Sequence, residues 1–287
     1  MATATHETNA AYHADMTHFG STMIRCYNRS PQDFYDLYVR SSRAPDPPSN
    51  QMILGSVTHC VVSGGNLDEE FLVAYGCKSR QGNAWKDAAA EAAQKQLTPI
   101  LPDQLERARA MREAVMRHPI AAQLLSADGP TEQSIRWQHA SGLKLKCKPD
   151  KLILGPPSAV CLNLKTSRDP APAQWPRWAW YDYQYHHQAV FYLQGVRTIV
   201  PGGILDHIWV VVGNEPPHDV YCYKLSDEAR EIANCEMEDT LHDLAQSIYS
   251  DYWIAPGQNE LNSFDPPRRS NGDDVTLQMP DGEEVTM

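Results

Sequence analysis

Apolar and basic residues alternate with period two over residues 143–148, with Leu143, Leu145 and Cys147 against Lys144, Lys146 and Lys148. That alternation predicts a half-buried strand with lysines on its open face. Pro149-Asp150 interrupts it, Gly155-Pro156-Pro157 supplies a turn, and an apolar run returns over residues 159–166, so the pattern predicts one hairpin. Side chains two apart on a strand share a face. Leu162 and Leu164 are therefore expected to face the core, with Asn163 and Lys165 facing out together. The hairpin would bring a carboxylate (Asp150), an amide oxygen (Asn163) and an ammonium (Lys165) within reach of one another.

Helical periodicity dominates the remainder. Residues 17–27 read as a helix. Ser30-Pro31 then supplies an N-cap and a proline at the first helical position, ahead of Phe34, Tyr35 and Tyr38. After a rigid APDPP connector at 44–48, residues 50–62 predict an apolar helix that carries Gly55 and His59 on one face. Residues 71–75 read as a strand and 84–96 as an alanine-rich helix. A helix capped by Asp103 runs to about His118, followed by a short helix at 120–125 and a strand at 132–139. Past the hairpin, Pro170, Pro172 and Pro176 lie among Trp175, Trp178 and Trp180 in an irregular segment. A helix at 181–193, strands at 208–212 and 219–224, and a long amphipathic helix at 228–249 complete the pattern. The fold class is α/β or α+β, a central mixed sheet flanked by helices.

Composition adds boundaries. Of 287 residues, 42% are hydrophobic and 21% charged, as in a soluble globular chain, and no apolar run is long enough to cross a membrane. Seven cysteines without a C-x-x-C spacing argue against a disulfide framework and a zinc or iron–sulfur cluster, which places the chain in reducing cytoplasm. The formal net charge of −11 opposes a simple nucleic-acid-binding surface. Residues 271–287 nevertheless hold five acids and no base, while the segment from Lys144 to Lys151 is locally basic. Domain organisation follows: a flexible N-terminus over 1–15, one domain over 16–255, and an acidic, poorly ordered tail over 256–287.

A lone histidine on an apolar helix is usually a core residue, so His59 by itself leaves packing and ligand roles open. Gln188 and Tyr192, four apart on one helical face, sit in a polar-aromatic cluster with Tyr183, Tyr185, His186 and His187, which predicts that this face borders a cleft. Taken in order, Gly55–His59, Lys148-Pro149-Asp150, Leu162-Asn163-Leu164-Lys165-Thr166 and Gln188–Tyr192 carry a pattern. With these motifs the chain resembles the PD-(D/E)xK nucleases of the RecB/exonuclease VIII (RecE-like) branch, over about residues 15–255.

The resemblance implies a restriction-endonuclease-like core, a four-stranded mixed sheet flanked by helices. It also implies metal-dependent exonucleolytic hydrolysis of duplex DNA ends in the 5′-to-3′ direction, in recombination, repair or phage-type processing. Mg2+ or Mn2+ would be held by Asp150, Asn163, His59 and the carbonyl of Leu164, with Lys165 stabilising the transition state. Gln188 and Tyr192 would hold the lysine side or the DNA backbone. Lys144, Lys146 and Lys148 would track phosphates, and Trp175, Trp178 or Trp180 would stack on bases. The implied partners are double-stranded DNA ends, a single-strand annealing protein, and further copies of the chain in a ring-like homo-oligomer. Asn163 departs from the family pattern, which has Asp or Glu there. An amide ligates a hard cation without bringing charge, so two readings stand: an enzyme with weakened metal affinity, or a nuclease-fold protein that binds DNA or assembles without cutting.

Overall fold

Pro149-Asp150 separates two sheets rather than ending one arm of a hairpin. The computed structural model describes residues 3–155, 157–255 and 257–261, with the backbone of 276–278 and 284–286. The larger unit, Met1–Trp253, begins with β1 (Thr3–His6), α1 (Asn9–Ala14), α2 (Ser21–Arg29), α3 (Pro31–Phe34) and α4 (Asn50–Ser63). It continues through α5 (Leu67–Glu70), β2 (Phe71–Val73), α6 (Asn83–Gln94), β3 (Thr98–Ile100), α7 (Pro102–Arg117) and α8 (Pro119–Ser126). Next come β4 (Gln133–Gln138), β5 (Lys144–Cys147), β6 (Lys151–Gly155), β7 (Ser158–Ser167) and α9 (Trp175–Arg177). The unit closes with α10 (Tyr185–Ile199), β8 (Ile204–Gly213), β9 (Val220–Tyr223) and α11 (Asp227–Ser250).

A four-stranded mixed sheet runs in the order β6-β7-β8-β9. Strands β6 and β7 are antiparallel, β7 and β8 parallel across ten residue pairs, and β8 and β9 antiparallel. A parallel pair needs a long crossover, here the segment containing α9 and α10. Because the crossover and the helices before β4 cover opposite sides, both faces of β7 are covered. Leu162, Val210 and Val212 pack with Leu54 of α4 and Met111 and Val115 of α7. On the other face, Trp209 and Val211 meet Trp175, Ala179 and Ala189. The largest core joins Phe34, Leu145, Leu152, Phe191, Leu241 and Leu244, all fully buried, at about 1.5–3 kcal/mol of transfer free energy per large side chain.

The expected hairpin is thus corrected. Lys144–Cys147 pairs with β4, in a second sheet of order β1-β4-β5, whereas the partner of β7 is β6. Residues 151–154 lie between the break at Pro149-Asp150 and the Gly155-Pro156-Pro157 turn, where the alternating pattern assigns no element. The apolar run Leu152-Ile153-Leu154 instead forms its own strand once Pro149-Asp150 has redirected the chain.

The row of lysines is also corrected. Lys144 is exposed, but Lys146 and Lys148 are buried, because residues 3–15 lie over them as strand and helix. Lys146 Nζ donates to the carbonyl oxygens of Tyr12 and Asp15, and Lys148 Nζ to Asn9 Oδ1 at 2.6 Å. Arg136 on β4 holds the same segment through Glu7 (2.9 Å) and Asp15 (3.0 Å). Burial opposes the charge on Glu7 and Asp15, yet hydrogen bonds, including those from Arg136, win and hold both carboxyls below their ordinary values of 4.5 and 3.8. A depressed carboxyl stabilises the fold above its unfolded pKa, and that contribution disappears as pH falls through the folded value. The arm should therefore stay docked at neutral pH and loosen progressively below about pH 4. Limited proteolysis should cut within residues 1–15 at acid pH only, and Arg136→Met should make the cut pH-independent. Equal protection of Arg136→Met and parent at neutral pH would contradict the docking.

The second unit, Ile254–Met287, contains an antiparallel pair of β10 (Thr276–Gln278) and β11 (Glu284–Thr286). The expectation of a poorly ordered tail falls mainly on 256, 262–275, 279–283 and 287, outside the described residues. Among the described residues, no helix is long and apolar enough to cross a membrane.

Candidate active site

The link between β5 and β6 places Asp150 at the junction of the two sheets, facing α4 and β7. Its Oδ2 lies 3.1 Å from His59 Nε2 and accepts the backbone N–H of Leu164 at 2.6 Å. Its Oδ1 accepts Asn163 Nδ2–H at 2.8 Å. His59 reaches this point because α4 packs closely against β7: a Cβ at Gly55 would stand 3.3 Å from Thr166 Oγ1. Gly55 therefore serves the close approach of the strand.

Glu132, which the sequence motifs omit, completes the cluster. Its Oε1 is 3.3 Å from His59 Nε2, and its Oε2 is 3.0 Å from buried Lys148 Nζ. The residue precedes β4 with a left-handed backbone (φ 51°), and its N–H donates to the Asp150 carbonyl at 3.1 Å. This backbone bond, rather than a sequence spacing, fixes one carboxylate beside the other.

His59, Glu132 and Asp150 each offer one ligand atom, all within 4.8 Å of one another, and each side chain is about a quarter exposed or less. Two unit charges at ~4 Å repel by about 4 kcal/mol at an effective dielectric of ~20, so the carboxylates need a cation between them. In the absence of a metal, His59 supplies it. Burial works against its charge, but Asp150 and then Glu132 outweigh burial and lift its pKa to about 9. The same balance, burial against the His59 charge, leaves Asp150 below its ordinary value. One imidazole nitrogen with two carboxylates fits a hard or borderline divalent cation, which would displace the proton.

Lys165 shares a face of β7 with Asn163, but that face is covered rather than open. Its Nζ lies 4.6 Å from the Tyr185 ring centre. Burial pushes its pKa down; Asp150 opposes the fall, and Arg25 adds to it. Arg25 of α2, also absent from the sequence motifs, is thus an electrostatic neighbour of Lys165, and it donates to the Tyr183 carbonyl at 3.3 Å. Arg25, Asn28, Tyr183, Tyr185, His187 and Gln188 line a pocket of about 30 Å³, where the polar-aromatic cluster meets α2. On the other side of Asp150, His59, Thr131 and Asp150 border a largely apolar cavity of about 100 Å³ with Leu125, Leu162 and Val210.

Other expected site residues are placed differently. Leu164 contributes its N–H to Asp150. Tyr192 is buried and receives a 3.4 Å hydrogen bond from Gln188 Nε2. Trp175 is buried and stacks on Tyr223 at 4.5 Å, and Trp180 stacks on His186 at 3.9 Å. Trp178 is half-buried in a π-helical turn, Trp178–Asp182, and so keeps part of its ring accessible.

Asn163 is 2% exposed and turns its oxygen away from the cluster, towards His207 Nε2 at 3.0 Å. Burial, with Lys165 adding to it, pushes His207 down to about 3, so it is neutral and donates this N–H. The amide therefore fastens Asp150 to β8 and presents a donor to Asp150 rather than a metal-facing oxygen. Asn163→Asp replaces that donor with a second buried acid beside Asp150. In chelator the variant should melt several degrees below the parent, and Mn2+ should raise its midpoint more than it raises the parent's. Equal midpoints in chelator would show that the Asn163–Asp150 contact carries no stability.

The sequence of residues 23–256 matches the model of a family described as a PDDEXK-like domain of unknown function, DUF3799. No curated protein matches the chain. Among solved structures, the crystal structure of a "Putative exonuclease" from Eubacterium rectale superposes with a TM-score of 0.60 at 12% identity. The match covers 92% of this chain and 96% of that one, so the two share a fold. A second structure, of SSO0001, covers 69% of this chain and 84% of its own at 15% identity, with a TM-score of 0.31.

Proposed function

This chain belongs to the PDDEXK-like family DUF3799, within the PD-(D/E)xK nuclease superfamily, and from that premise we propose that it is a metal-dependent DNA exonuclease. The observation that carries the reading is the meeting of His59, Glu132 and Asp150 within 4.8 Å, with Lys165 electrostatically coupled to Asp150. His59 Nε2, Glu132 Oε1 and Asp150 Oδ2 would hold Mg2+ or Mn2+. Bound there, the cation would polarise a phosphodiester and lower the pKa of an attacking water.

The chain's own groups account for the other requirements. Asp150 is kept ionised, against burial, chiefly by His59 and then by Lys165 and the Leu164 N–H, and hydrogen bonds from Asn163 and Leu164 hold it in place. Lys165 and Arg25 place positive charge where the phosphate gains negative charge in the transition state. Glu132 restores the second carboxylate that Asn163 withholds, which favours the enzyme over the binding-only reading. Lys144 and Trp178 retain exposure for backbone and base contacts, whereas Lys146 and Lys148 serve the N-terminal arm and Glu132.

Linear and covalently closed circular duplex of the same sequence test the assignment. With Mn2+, the linear form should be degraded to nucleotides and the circle left intact. A circle nicked as fast as the linear form is degraded would overturn the exonuclease reading. A retarded band in a gel-shift assay without degradation of either form would establish the binding-only alternative. Exonuclease VIII-like polarity and processing of duplex ends in recombination or repair belong to the same proposal, and 5′- against 3′-labelled substrates resolve the polarity.

A further inference from the structure

Away from the Asp150 cluster, His186 and His187 open α10 and face Glu236 of α11. The Nε2 atoms of His187 and His186 lie 2.9 and 3.3 Å from the same oxygen, Glu236 Oε2. All three ligand atoms fall within 4.8 Å of one another. Atoms bound to one metal by bonds of about 2.0–2.2 Å stand about 2.9–3.4 Å apart at tetrahedral or octahedral angles, and both contacts fit that range.

Hydrogen bonds span the same distances, and the neighbouring groups show what else holds the imidazole in place. Thr240 Oγ1 is 2.9 Å from Asn28 Oδ1 and 2.8 Å from the Glu236 backbone carbonyl, and one hydroxyl hydrogen cannot serve two acceptors. Asn28 Nδ2 lies 3.3 Å from His187 Nδ1. The two orientations of the Asn28 amide fill the same space. Turned over, Asn28 Nδ2 donates to Thr240 Oγ1, Thr240 donates to the Glu236 carbonyl, and Asn28 Oδ1 accepts from His187 Nδ1–H. Every group in that relay is then satisfied, and His187 Nε2 faces the Glu236 carboxylate at 2.9 Å. Either a proton or a metal ion between His187 Nε2 and Glu236 completes the arrangement, and the Asn28 contact gives the histidine the outer hydrogen bond that orients a metal-ligating imidazole.

We propose that His186, His187 and Glu236 form a second metal site, selective for an imidazole-preferring divalent transition ion of the Zn2+ type. Two imidazoles and one carboxylate disfavour Mg2+ and suit Zn2+ or Co2+. Three protein ligands leave a position for water, which the half-exposed Glu236 can admit. The ion fastens α10 to α11 next to Gln188, on the helix that borders the cleft.

The test is a Co2+ titration of the full chain in excess Mg2+, which fills oxygen-rich sites, read by visible absorption. One equivalent should bind to the parent, and Zn2+ should displace it. Glu236→Gln and His187→Ala should each weaken that binding by more than about tenfold, and Asn28→Ala by about 10–100-fold. If His187→Ala fails to fold, Glu236→Gln, at a half-exposed position, decides alone. A parent that binds no Co2+, or Co2+ binding that Glu236→Gln leaves unchanged, would overturn the site. Neither result depends on hydrolysis of DNA.

Discussion

Alanine at position 150 should reduce DNA hydrolysis by at least about a thousandfold, since several kcal/mol of transition-state stabilisation pass through this carboxylate and each 1.36 kcal/mol is tenfold in rate. Asp150 meets His59 at 3.1 Å, Asn163 at 2.8 Å and the Leu164 N–H at 2.6 Å. Its removal also leaves a backbone donor and a buried amide without an acceptor, at about 1–3 kcal/mol each. Asp150→Asn separates the two effects, because it keeps an acceptor for Leu164 while removing the charge. Both variants should be inactive on end-labelled duplex, and the larger fall in thermal midpoint should belong to Asp150→Ala. An Asp150→Asn protein as fast as the parent would rule out a charged ligand at this position.

Gly129→Ala should be nearly as damaging without touching any ligand. A Cβ at Gly129, where φ is +154°, would lie 1.8 Å from the Leu152 carbonyl oxygen and 2.9 Å from its carbon. Backbone cannot rotate aside as a side chain would, so the loop has to move off β6. That movement breaks the Leu152 N–H to Pro130 bond and the Glu132 N–H to Asp150 bond, which set one carboxylate against the other. The expected loss is several kcal/mol of stability, read by denaturant unfolding, with activity lost even in the protein that remains folded. Gly55→Ala is the contrast: its nearest contact is 3.3 Å, to a rotatable threonine hydroxyl, so the cost should be small. A parental unfolding midpoint for Gly129→Ala would show that the loop does not hold Glu132.

His59, Asp150 and Lys165 were legible in the sequence because their order along the chain carries the family pattern, and strand parity correctly put Asn163 and Lys165 on one face. Parity could not show that α10 covers this face. That follows from the parallel pairing of β7 with β8, a contact between segments some 45 residues apart. Glu132 was illegible for another reason: it stands outside the regular strand, in a left-handed conformation, and bonds to Asp150 through its backbone. The alternation of lysines correctly gave β5 and its two faces but not the burial of Lys146 and Lys148. Their cover is the polar N-terminal arm, whose composition reads as a flexible end and whose docking depends on Arg136, more than 120 residues away. Periodicity also missed β6, a five-residue strand between Asp150 and a proline turn.

His59, Glu132 and Asp150 together should bind the cation used in hydrolysis. The most direct measurement is Mn2+ binding by calorimetry, followed by degradation of linear duplex across the same Mn2+ titration, for parent and Glu132→Gln. Degradation should be absent in chelator and rise with Mn2+ occupancy, and Glu132→Gln should weaken binding and shift the activity curve to higher Mn2+ by the same factor. Degradation that persists in chelator, or a Glu132→Gln protein with the parent's Mn2+ affinity and activity curve, would contradict this assignment.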